Sequence, residues 1–63
     1  MNDRIERLQG ILQQDPGDSS SRHALGLEYR AQGELSKALE CFRETRDRDA
    51  GYLATYYQLG KVL

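Results

Sequence analysis

Few side chains in this sequence have the reactivity that covalent or metal chemistry needs. There is one cysteine, Cys41, and one histidine, His23. A cysteine nucleophile acts as its thiolate and needs a base within hydrogen-bond reach. A structural zinc ion takes four ligands, mostly Cys and His. One thiol and one imidazole are too few for a metal site, and nothing around Cys41 supplies an activating environment. Cys41 directly precedes Phe42 on a segment with helical spacing, so a half-buried structural thiol is expected. No glycine-rich phosphate cradle, dinucleotide fingerprint or pair of catalytic carboxylates is present. Two further stretches could carry charge chemistry. "DSSS", at 18–21, could take phosphate at a helix N-terminus, but its residues are accounted for as helix caps. "RETRDRD", at 43–49, could touch RNA, but alternating signs point to a solvated, ion-paired face. No catalytic residue, metal ligand or cofactor is assigned.

These side chains sit on segments whose apolar spacing is helical throughout; no stretch alternates with period two. The first segment covers about residues 2–14, with Ile5, Leu8 and Leu12 on one face and Ile11 beside them. Pro16 then breaks the chain, and Asp18 or Ser19 can cap the second helix. That helix runs to about 32, with Ser21, Leu25 and Tyr29 as its stripe and Ala24 and Leu27 flanking. Gly33 supplies a left-handed turn to close it. The third spans about 35–48 on Leu35, Ala38, Leu39 and Phe42, and its end, "ETRDRD", is expected to be solvated. The fourth is "YLATYYQLGKVL", at 52–63. The short connections predict antiparallel neighbours.

Sixty-three residues make one domain, and one that is marginal alone, because a short chain buries a smaller fraction of its surface. Nine basic and ten acidic residues are well mixed. That balance gives no basic stripe and argues against a nucleic-acid surface. No apolar run approaches the roughly 18 residues of a membrane span, and the first ten residues hold no signal-peptide core. With a single cysteine and no internal disulfide, a reducing, cytoplasmic setting is expected.

The chain also repeats itself. Leu25-Gly26 returns at Leu59-Gly60, 34 positions later. The first copy reads Leu25-Gly26-x-x-Tyr29 and then Ala38-x-x-x-Phe42; the second reads Tyr56-x-x-Leu59-Gly60-x-x-Leu63. This pattern and period resemble the tetratricopeptide repeat. The resemblance spans nearly the whole chain: an N-terminal helix or cap at 1–18, one complete degenerate repeat at 19–52, and the first helix of a following repeat at 53–63. It implies an all-α fold, a fragment of an α-solenoid built from short antiparallel helix-turn-helix units, with about four helices. Leu25, Gly26, Tyr29, Ala38, Phe42, Leu59 and Gly60 would be the packing positions, with Gly26 and Ala38 letting the paired helices approach closely. Departures are visible. Arg22 occupies the aromatic position, Ala50 replaces the proline, Arg46 and Arg48 replace apolar residues, and Arg4 takes a small-residue position, so the first helix looks more like a cap.

The resemblance implies a non-catalytic scaffold for protein–protein contacts. In that family one face of each repeat's first helix lines a concave groove for extended peptides. Carried over, the lining would be Ser20, His23, Leu27 and Arg30, then Ala54, Tyr57, Gln58 and Lys61. His23, Arg30 and Lys61 would make it mildly basic, suited to an acidic or C-terminal peptide; an ordinary solvated helix face is the simpler alternative. The lysine and asparagine that clamp a terminal carboxylate in some members are replaced by His23 and Leu27, so that clamp is not expected.

The last twelve residues hold eight apolar side chains spread around most of the helix. Leaving several of them exposed forfeits roughly 1.5–3 kcal/mol each, large against the roughly 5–15 kcal/mol of a native domain. The next helix could follow in a longer repeat protein, or two chains could pair symmetrically. A head-to-tail stack is disfavoured, because it sets Arg4 opposite Gly60 and builds an open filament. A homo-oligomer, a dimer first, is therefore expected, with Leu53, Tyr56, Leu59, Val62 and Leu63 as its surface. Two rival readings stand beside the peptide-binding one: a purely structural self-assembly module, and a regulatory piece of a longer protein.

Overall fold

The computed structural model describes residues 3–52 and Gln58. They form three helices, α1 (Asp3–Gln14), α2 (Ser19–Ala31) and α3 (Leu35–Arg48), and no strand is present among them. The fold is all-α. The ends of all three helices fall within a residue or so of the sequence expectation; the fourth helix lies outside the described residues, Gln58 apart.

Local chemistry sets each boundary. After α1, the Asp15 backbone amide still donates to the Ile11 carbonyl at 2.8 Å, and the Asp15 carboxylate accepts from the Gly17 amide at 3.2 Å. Pro16 cannot extend the helical ladder. Asp18 then caps α2: its carboxylate accepts from the Ser21 amide at 3.1 Å and from the Ser21 hydroxyl at 2.9 Å. Those bonds hold its carboxyl below the ordinary 3.8, the Ser21 amide contributing most. At the other end Gly33 takes φ +80°. Its amide donates to the Arg30 carbonyl at 3.0 Å, and the Glu34 amide to the Tyr29 carbonyl at 2.9 Å. This is the paired closing pattern that a left-handed residue permits. The three residues 32–34 thus turn α3 back along α2.

α2 is the central helix and packs on both α1 and α3. The core lies between α2 and α3. Leu25, Ala38, Phe42 and Thr45 are buried, with Tyr29 and Leu39 partly buried against them. Gly26 is where the two helices close. A Cβ there would lie 2.8 Å from Cδ1 and Cζ of Phe42 and closer still to Cε1. So the tight approach expected between Gly26 and Ala38 is made by the Phe42 ring, while Ala38 joins the same cluster from α3. α1 is attached more loosely and has no buried residue. Its polar ties to α2 include Arg4 to Glu28, 3.1 Å, and the Gln9 amide donating to the Tyr29 hydroxyl, 2.9 Å.

The polar end expected for α3 needs correction at Thr45. It is fully buried, and its hydroxyl donates to the Cys41 carbonyl at 2.8 Å. A threonine bonded to the carbonyl four residues back satisfies its own hydroxyl, so it can fill a core position without a cross-chain partner. Glu44, Asp47 and Arg48 remain exposed.

Candidate functional site

The α2 face carries four of the groove residues named from sequence. Ser20 and Leu27 are exposed. Arg30 is half-buried, and its guanidinium donates to Oε1 of Gln58 at 2.8 Å, so Arg30 and Gln58 do meet. His23 departs from the sequence reading. It is buried, with its ring centroid 5.5 Å from Phe42 and 5.3 Å from Tyr52. Two tilted aromatic rings are favourable company for a neutral imidazole. Burial pushes the His23 pKa below 6.5, so this residue does not add positive charge to the face at neutral pH. Arg30 is the described cation there. Ala54, Tyr57 and Lys61 of the groove set lie outside the described residues, as do Leu53, Tyr56, Leu59, Val62 and Leu63 of the expected oligomer surface and the packing position Gly60.

A second polar arrangement is not legible as a site in sequence. Arg22, which the repeat pattern marks only as a charge in an aromatic position, is 5% exposed. Its Nε pairs with Glu44 Oε2 at 3.3 Å, one terminal nitrogen donates to the Pro16 carbonyl, and Nη1 has no partner among the described residues. Arg22 forms part of the wall of an open cleft of about 750 Å³ shared by α1, α2 and α3, together with Leu12, Leu25, Cys41 and Glu44. The available signal is the position itself: an arginine one turn before Leu25-Gly26 must be buried if that turn packs on α3.

Comparison with family models, with curated proteins and with solved structures finds no match.

Cys41 is half-buried in the same cleft wall. Burial, opposed by Arg22 and reinforced by Glu40 and Glu44, raises its pKa to about 11. A thiol in that range is protonated at neutral pH and makes a poor nucleophile. Among the described residues no cluster of three His, Cys, Asp or Glu side chains is placed to hold a metal ion. No helix among them is long and apolar enough to cross a membrane. Among the described residues the arrangement offers hydrogen-bond donors and apolar surface.

Proposed function

We propose that this chain is a non-catalytic interaction scaffold of tetratricopeptide-repeat type. It binds a protein or peptide partner through the outer face of α2 and self-associates, as a dimer first, through residues 53–63. The observation that carries the reading is the α2–α3 contact. Of the described positions shared with the repeat pattern, Leu25, Gly26, Ala38 and Phe42 are buried and Tyr29 is partly buried, and Gly26 fits only because it lacks a side chain. With α3 and α1 both packed on α2, the side that carries Ser20 and Leu27 is left exposed for a partner. There Leu27, 37% exposed, stands near the Arg30–Gln58 hydrogen bond in sequence, an apolar anchor beside a charged donor. Recognition by such a face works through burial of anchors and a few oriented polar contacts.

A photo-crosslinking residue at position 27 tests this. It is expected to form adducts with a partner or a second copy, well above the yield from the same residue at Ser36, an exposed position on α3. Equal yields at the two positions would count against the α2 face.

A further inference from the structure

α1 packs on α2, and its half-buried residues are Ile5, Leu8 and Leu12. Ile11 stands about a quarter turn off that stripe and is 44% exposed. Beside it Gly10 has open space where a side chain would project: a Cβ there meets nothing within 4 Å. Arg7, Gly10, Ile11, Gln14 and Asp15 line one open hollow of about 460 Å³ together with Asp18. Its charges are split along the helix. Arg7 lies four residues before Ile11 and Asp15 four residues after it, so the two are about 12 Å apart along the axis, too far to pair within one chain. Arg7 has no ion pair among the described residues. The Asp15 amide keeps the helical bond to Ile11, and its exposed carboxylate accepts from the Gly17 amide.

We propose that this face of α1 pairs with the same face of a second copy, antiparallel about a two-fold axis at Ile11. In a two-fold contact, whatever one residue meets on the partner meets that residue in return. The equal spacing on either side of Ile11 therefore sets Arg7 of each chain opposite Asp15 of the other, while the two Ile11 side chains cover one another. Gly10, with no side chain, lets the helices come close. A parallel pairing would set Arg7 against Arg7, so charge selects the antiparallel register. One face of a 12-residue helix is small against the roughly 800 Å² per partner of a stable interface, so the contact is weak and forms at millimolar concentration. It shares no residue with 53–63 or with the α2 face, so each can fail without the others.

The test is an NMR dilution series from micromolar to millimolar, run on the full chain and on its Leu59→Lys variant, following the Gly10 and Ile11 amides. Leu59→Lys sets aside association through 53–63, and the unaltered chain reports if that variant folds poorly. Saturable shifts of the α1 amides are expected in both. Arg7→Asp and Asp15→Arg each turn two attractive contacts into repulsive ones, and each is expected to weaken pairing about three- to thirtyfold. An equimolar mixture of the two variants is expected to recover it, since every contact between positions 7 and 15 of the mixed pair again joins opposite charges. Gly10→Gln is expected to weaken pairing yet raise the melting temperature, because glutamine is the better helix former. α1 shifts that do not change with concentration, pairing unmoved by these substitutions, or a mixture no tighter than its components would overturn the proposal.

Discussion

His23, between Phe42 and Tyr52, links the helical pair to the segment beyond α3, and its burial makes stability depend on pH. The folded chain holds its pKa below 6.5, so the unfolded chain binds the proton more readily. Above 6.5 both states are neutral at this residue and its contribution is fully present. As pH falls from 6.5 through the lowered folded value, that contribution is lost. The melting temperature is therefore expected to drop between pH 7.5 and 5.5 in the wild type and to drop less in His23→Phe, which keeps an aromatic ring in place. Parallel slopes in the two proteins would mean the imidazole is not desolvated. Cys41 gives a second residue-level expectation. With its pKa raised to about 11 from 9.0, its thiolate population at pH 8 is about a hundredfold below that of an unperturbed cysteine. Iodoacetamide should label it correspondingly slowly in the folded chain and at the ordinary rate in urea. Fast labelling of the folded protein would contradict its burial. Arg22 is a third case. Buried charge with an unmet donor is often less stable than an apolar side chain of similar size, so Arg22→Met should raise stability by about 1 kcal/mol in urea denaturation. A loss of stability would show that the pair to Glu44 outweighs the unmet donor.

At the scale of the elements, the α2–α3 contact depends on Gly26. Alanine there is favoured by helix propensity by about 1 kcal/mol, but its Cβ would press into the fully buried Phe42 ring. Overpacking of this kind costs about 1–3 kcal/mol, so Gly26→Ala is expected to destabilise in urea denaturation, and to do so less in a Phe42→Leu background. A stabilised Gly26→Ala would mean that the ring shifts freely and that the close approach is not needed. The helices themselves are legible in the sequence because Pro16, Asp18 and Gly33 act locally and because the Ala38 and Phe42 spacing declares one buried face. Which polar residues join that face is not legible. Thr45 is buried because its hydroxyl can use the Cys41 carbonyl, and Arg22 because Pro16 and Glu44 lie within its reach. Such pairings exist only once the helices are docked. The burial of His23 is hidden for the same reason: its helical position suggests an outward face, but the two aromatic rings that cover it come from α3 and from beyond it.

At the scale of the molecule, the described residues put three helices around a core of a few fully buried side chains, and α1 adds only half-buried and exposed side chains to it. A domain of this size stands near the lower limit of independent stability, so association is an effective way to gain burial. On the reading proposed above, this chain works by association, through α2 and through residues 53–63, and performs no chemistry. The most direct test is the solution mass of the 63-residue chain, measured by sedimentation equilibrium over a wide concentration range, beside Leu59→Lys. A reversible dimer or larger species is expected in the wild type, and Leu59→Lys is expected to dissociate it. A folded wild-type monomer at every concentration would contradict the proposed association.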